Sequence, residues 1–174
     1  MNKTVFITGA TSGIGKSTAV QFAKHNYNLI LTGRREERLK ELEKFLQQEY
    51  NSTIQTLCFD VQDLQQVQKA IANLDSKLFP TIDILVNNAG LALGFSSIAE
   101  GNYEDWNTML DTNVKGLLYV SREITPRMIQ QGFGHIVNIS STAGKDVYPQ
   151  GNVYCASKQN KDKIKKSMRI DLLP

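Results

Sequence analysis

Short, mostly apolar runs, each followed by a stretch with apolar residues at helical spacing, leave this chain few folds to adopt. Thr4-Val5-Phe6-Ile7 and Leu29-Ile30-Leu31 are such runs, and Ile54 to Phe59, Ile82 to Val86 and Ile136 to Ile139 repeat the theme. A strand that is hydrophobic on both faces must be covered on both, which points to a parallel sheet between layers of helix. The intervening segments supply those layers, with stripes of Ile14, Ala19, Phe22 and Ala23, then Leu39, Leu42, Phe45 and Leu46, then Leu64, Val67, Ile71, Leu74 and Leu78. A long helical region is predicted from about Tyr103 to Gln131, stopped by Gly132, and a last helix from about Asn152 to Leu173. Right-handed crossovers then predict an α/β fold: a doubly wound parallel sheet in three layers, strand order 3-2-1-4-5. No repeat, low-complexity segment or linker divides the 174 residues, so a single domain over 1–174 is expected.

Composition excludes several classes of function. A formal net charge of +3 is too small to argue for nucleic acid, and the basic residues are interleaved with acids, as in Arg34-Arg35-Glu36-Glu37-Arg38. Cys58 and Cys155 have no CxxC or histidine spacing around them, so they read as small buried or half-buried thiols in a reducing compartment rather than a disulfide or metal site. His25, at a helix end, and His135, at a strand start, carry no catalytic signal. No stretch reaches the length of a membrane span, and Met1 to Thr4 lead into a strand without the apolar core of a signal peptide. A cytoplasmic location, with neither membrane nor nucleic acid as partner, is the expectation.

In an open sheet of this kind ligands bind outside the carboxyl ends of the strands. After the first strand comes Thr8-Gly9-Ala10-Thr11-Ser12-Gly13-Ile14-Gly15, opening a helix. Glycines permit a tight turn and close approach of backbone to a pyrophosphate, and the helix start offers free N–H groups. Gly9, Thr11, Ser12, Gly13, Ile14 and Gly15 are therefore predicted to hold a dinucleotide on a Rossmann-type sheet. Ala10 to Ser17 also reads A-x-x-x-x-G-K-S, one residue from a P-loop. Against that rival, Ala10 stands where the P-loop needs glycine, Gly13 falls inside the loop, and the other motifs have no part in phosphoryl transfer. The second strand ends Thr32-Gly33-Arg34-Arg35 with no acid before Glu36. NAD selection usually places an acid there, whereas Arg34 and Arg35 favour a ribose 2′-phosphate, so NADP is expected and NAD disfavoured.

Further motifs fall at the remaining strand ends. Asp60-Val61 follows the third strand and Asn87-Asn88-Ala89-Gly90 the fourth; Thr112-Asn113-Val114-Lys115-Gly116, Ile139-Ser140-Ser141 and Tyr154-Cys155-Ala156-Ser157-Lys158 come later. In this order, with TGxxxGxG at the start, the chain resembles the short-chain dehydrogenase/reductase family along its whole length. Thr32 to Leu39 and Asn87 to Gly94 look like the subgroup of NADP-dependent 3-hydroxy acid or serine dehydrogenases. The resemblance implies hydride transfer between nicotinamide and a carbonyl or secondary alcohol, such as a 3-hydroxy acid. It assigns cofactor contacts to Asp60, Val61, Asn88, Ala89 and Gly90, and catalysis to Asn113, Ser141, Tyr154 and Lys158. Tyr154 is a poor base until its phenolate is stabilised, and Lys158, one helical turn on, can supply that charge. Ser141 would donate to the substrate oxygen, Asn113 would hold a water linking Lys158 to solvent, and Tyr154 and Lys158 would also touch the cofactor.

Two features depart from the family. Gln159 to Lys166 is strongly polar where the family's helix is small and apolar, leaving one stripe of Ile164, Met168 and Leu172. That run reads as a solvated surface, so a monomer is expected where the family is homo-oligomeric. Family members also continue past this helix with further strands and a substrate-covering segment. The expectation is therefore of a shortened member, whose alternative role is binding the cofactor without turnover.

Overall fold

Thr4–Ile7 forms β1, buried at every position, and the rest of the sheet is built outward from it. The structure, a computed structural model, describes residues 2–173; Met1 and Pro174, the ends of the expected 1–174 domain, lie outside the described residues. After β1 come α1 (Gly13–Lys24), β2 (Asn28–Gly33), α2 (Glu36–Glu49), β3 (Ile54–Cys58), α3 (Leu64–Ala72) and β4 (Ile84–Asn87). The chain continues with α4 (Tyr103–Leu110), a π turn (Asp111–Lys115), α5 (Gly116–Gln131), β5 (His135–Asn138), a short 3₁₀ turn (Thr142–Gly144) and α6 (Asn152–Leu172). The strands pair in parallel in the order β3-β2-β1-β4-β5, as predicted.

The two-residue period of the strands divides the core. Phe6, Ile30 and Leu85 point to one side, where α3 and α5 cover them with Val67, Ile71, Val120 and Ile124. Val5, Ile7, Leu29, Leu31 and Val86 point to the other, against Ala19 and Ala23 of α1 and Leu39, Leu42 and Leu46 of α2. Asp63 caps α3 by accepting from the N–H groups of Gln65 and Gln66, and Asn102 caps α4 in the same way through Glu104 and Asp105. The long helical region predicted from Tyr103 to Gln131 is continuous through the π turn and ends at Gly132, φ 78°.

Several predicted positions fall elsewhere. Leu64, the first residue of α3, is exposed, and so is Leu78, because α3 ends at Ala72 and Phe79 takes the buried place instead. Phe45 lies on the outer edge of the α2 stripe and is exposed. Cys58, expected at least half-buried, is exposed at the end of an edge strand, while Cys155 is buried. On α6, Ile164, Met168 and Leu172 are only half-buried; the fully buried side chains are Cys155, Ser157, Lys158 and Lys161. Lys161 thus contradicts its reading as part of a solvated run. Among the described residues no helix is long and apolar enough to cross a membrane.

Leu85 sits in the middle of the core with no exposed surface. Leu85→Ala is expected to cost about 2–5 kcal/mol, the usual range for emptying such a site. Urea denaturation checks it, and a loss below about 1 kcal/mol would mean the site collapses around the cavity.

Candidate functional site

The order of the sheet reverses between β1 and β4, and the connections leaving their carboxyl ends diverge, opening a cleft of about 970 Å³. Gly9, Thr11, Ser12, Gly13, Ile14, Arg34, Arg35, Asp60, Val61, Asn88, Ala89, Gly90, Ser141, Tyr154 and Lys158 all line it. Of the predicted site residues, Gly15 and Asn113 do not. Gly33, Phe59, Leu91, Thr112, Ile139 and Ser140 line it as well, though the sequence does not single them out. Their signal is adjacency alone, since each neighbours a predicted residue at a strand end or helix.

The turn after β1 is held by its neighbour after β4. Thr8 Oγ1 accepts from the N–H groups of Asn88 and Ala89, both at 3.0 Å. Asn88 Nδ2 donates back to the carbonyls of Thr8 at 2.9 Å and Gly9 at 3.1 Å. Gly9 and Gly13 have φ of +66° and +51°, where a side chain would be strained. Gly15 is required by close packing: a Cβ there would strike the Gly9 carbonyl and the Asn88 amide. At the start of α1, Ser12 makes no side-chain cap and the first turn contains no acid. The free N–H groups of that turn therefore remain available to an anion, which is what a dinucleotide's pyrophosphate requires.

Charge around the turn is arranged in the same sense. Arg35 Nη2 donates to Thr11 Oγ1 at 2.7 Å and Ser12 Oγ at 3.0 Å, laying its guanidinium beside the turn. Arg34 pairs with Asp60 at 3.3 Å near the surface. Lys16 and Ser17, on which the P-loop reading depends, are exposed and outside the cleft lining, so that reading is set aside.

The other end of the cleft holds the predicted proton-transfer group. Tyr154 and Lys158 lie one turn apart on α6, with the Lys158 Nζ 5.6 Å from the centre of the Tyr154 ring. Lys158 is buried, and that desolvation pushes its ammonium below the ordinary lysine range. Ser141 Oγ accepts from Ala143 N–H at 3.2 Å, which fixes it at the start of the 3₁₀ turn. Asn113, in the π turn, is wholly buried. Its Oδ1 accepts from Leu91 N–H at 2.9 Å, and its Nδ2 donates to the Leu91 carbonyl at 2.8 Å and Ser157 Oγ at 2.9 Å. Both amide hydrogens are thus taken by protein, and the side chain ties the Leu91 segment to α6. A Cβ on Gly90 would lie 2.9 Å from Asn113 Oδ1 and 3.2 Å from Lys158 Nζ, so the three residues converge.

Known proteins are similar to this chain in sequence and in fold. The family model described as short chain dehydrogenase matches residues 3–174. The chain is 42% identical over 168 residues to an NADP-dependent 3-hydroxy acid dehydrogenase of Escherichia coli strain K12, covering 97% of this chain and 66% of that protein. It is 44% identical over 173 residues to sulfoacetaldehyde reductase 2 of Chromohalobacter salexigens, covering 99% and 68%. Among solved structures, the closed form of serine dehydrogenase complexed with NADP⁺ superposes with a TM-score of 0.89 at 43% identity, covering 97% of this chain and 66% of that one. The chain therefore spans 66% of the length of the 3-hydroxy acid dehydrogenase it matches.

The hydrogen bonds from Asn88 yield a direct test. Asn88→Ala leaves the Thr8 and Gly9 carbonyls without their donor, and a loss of about 1–3 kcal/mol is expected in chemical denaturation. Dinucleotide affinity should fall with it, measured by fluorescence titration.

Proposed function

This chain belongs to the short chain dehydrogenase family, and we propose that it binds NADP and moves a hydride between the nicotinamide and a small hydroxy acid or its carbonyl counterpart. The observation that carries this reading is the shared cleft: one wall holds the glycine turn and the arginines, the other Ser141, Tyr154 and Lys158. Gly9, Thr11, Ser12, Gly13 and Ile14 and the start of α1 fit a pyrophosphate, with Gly15 and Asn88 keeping that turn in shape. Arg34 and Arg35 fit a 2′-phosphate by charge-assisted bonds, and Asp60 and Val61 lie where adenine would pack. Asn88, Ala89 and Gly90 line the passage to Lys158, whose ammonium suits a ribose. The relatives named for a 3-hydroxy acid and for sulfoacetaldehyde support a small substrate that carries an acidic group.

When bound, the nicotinamide gives or takes the hydride, so the chain's own residues have to manage the proton. Tyr154 holds it at the phenolic oxygen. The Lys158 ammonium favours the phenolate by direct charge attraction, and Ser141 donates to the substrate oxygen as charge develops there. Asn113 fixes the Leu91 segment against α6, next to the place where a relay water would serve Lys158. A second reading is that the chain binds the cofactor without turnover.

Titration with NADPH and NADH in one buffer tests the cofactor. NADPH is expected to bind roughly 10- to 100-fold more tightly, the worth of charge-assisted bonds to one phosphate, and Arg35→Glu should abolish the preference. Equal affinities would overturn the assignment. With 3-oxo acids and 2-aminomalonate semialdehyde as candidate substrates, Tyr154→Phe should remove about 99% or more of any NADPH oxidation while leaving cofactor affinity nearly unchanged. Cofactor binding with no oxidation in the unmodified chain would favour the second reading.

A further inference from the structure

Lys161 breaks the polar run in which it lies. Its residue is 1% exposed, and its Nζ donates to the Ile139 carbonyl at 3.1 Å. No carboxylate pairs with it among the described residues, because the neighbouring Lys165 and Lys166 share Asp162 at the surface, at 2.9 and 2.8 Å. A buried lysine without an acid is an unfavourable arrangement, so its position is informative. Lys161 follows Lys158 by one helical turn, and Ile139 immediately precedes Ser140-Ser141. A second bond crosses the same joint, since Ser140 Oγ donates to the Lys158 carbonyl at 3.1 Å. The joint has no slack: a Cβ on Gly144 would lie 2.9 Å from that carbonyl oxygen.

We propose that Lys161 is a positioning residue for the Tyr154–Lys158 pair, clasping the end of β5 that carries Ser141 to the helix that carries both, and placing a second titratable cation behind Lys158. The clasp rests on the function proposed above for its meaning, but its geometry is independent of it. Lys158 is the ionisable group that acts on Lys161, and it does so by repulsion. Across the joint, His135 is exposed at the far end of β5, and Lys145 and Asp146 are exposed beyond the 3₁₀ turn. On the other elements packed against α6, the charged groups are Glu104 and Asp105 of α4 and the Asp111–Lys115 pair of the π turn, and none forms an ion pair with Lys161. Burial first, and Lys158 second, pull Lys161 down to about 7. Near neutrality it therefore exchanges its proton, and an anionic dinucleotide in the cleft should favour the charged form. Binding should then take up a proton and strengthen as pH falls through neutrality. Because the folded value lies below the unfolded one, stability should rise with pH from about 7 toward the ordinary lysine range.

The test uses the chain labelled with ¹³C at lysine Cε and followed by NMR against pH, with the Lys161 resonance assigned by its loss in Lys161→Met. A midpoint near neutrality that rises by roughly half a unit or more with NADPH supports the proposal. A midpoint in the ordinary lysine range overturns it, as does a midpoint that NADPH binding leaves unmoved. Lys161→Met should also shift the Ser140 and Ser141 amide resonances and speed their exchange about tenfold or more, although melting at neutral pH rises. Unchanged Ser140 and Ser141 amides would refute the clasp; if the methionine variant fails to fold, Lys161→Gln gives the same readout. Should the chain bind no NADPH at all, the proposed function fails, while the cofactor-free titration and the amide exchange still decide the role of Lys161.

Discussion

The reciprocal hydrogen bonding between Thr8 and Asn88 is the constraint on which the cleft depends. β1 and β4 are adjacent in the sheet, yet the chain leaves their ends toward opposite faces, and the ladder's last bond, Thr8 N–H to the Val86 carbonyl at 3.0 Å, stops where the two turns begin. Thr8 Oγ1 and the Asn88 side chain fix the two turns against each other, each satisfying backbone groups that are shielded from water. Leaving such groups unpaired costs more than the bonds themselves contribute, so the pairing is enforced rather than optional. Gly15 completes it by letting the first turn of α1 approach the Gly9 carbonyl and the Asn88 amide more closely than any side chain permits.

That constraint leaves the helix start exposed and positively biased. An acid in the first turn of α1 would satisfy the dipole and compete with an anionic ligand, and none is present. Arg35 adds a full positive charge beside the same turn through Thr11 and Ser12. Among the described residues, the only acid lining the cleft is Asp60, drawn toward Arg34 at the surface rather than toward the turn. The glycine turn with its arginines and the Ser141, Tyr154 and Lys158 group thus lie along one cleft, with Gly90 packed close to Asn113 and Lys158.

Much of this is legible in the sequence because it rests on local rules. Mostly apolar strands need cover on both faces, which points to the layers, and right-handed crossovers point to the strand order; glycines at strand ends mark the backbone turns, and the cleft-lining residues lie where those turns must be. The misreadings share a different cause. Spacing alone extends the α3 stripe to Leu78, but a helix end is set by the residues beyond it, and Phe79 is the one that reaches the core. The spacing that marks Gly15 says nothing of its close packing on Asn88, 73 positions away in the chain, which only the fold brings beside it. Lys161 reads as solvated because its neighbours are, although its helical position puts it on the face of Lys158.

The last of these points to how α6 divides its work. Its first half is buried against the 3₁₀ turn, α4 and the π turn, through Cys155, Ser157, Lys158 and Lys161. Its second half offers Ile164, Met168 and Leu172 only half-covered, and carries surface pairs of Asp162 with Lys165 and Lys166 within the helix itself. Such pairs are worth about 0.3–0.5 kcal/mol each. Resistance to local opening must therefore fall along the helix, highest where Tyr154 and Lys158 sit and lowest toward Leu172. Lys161 stands at the boundary. It is the last buried residue of α6, and its bond to Ile139 ties the helix to the segment that ends β5, so the positioning of the Tyr154–Lys158 pair depends on a lysine drawn down to about 7.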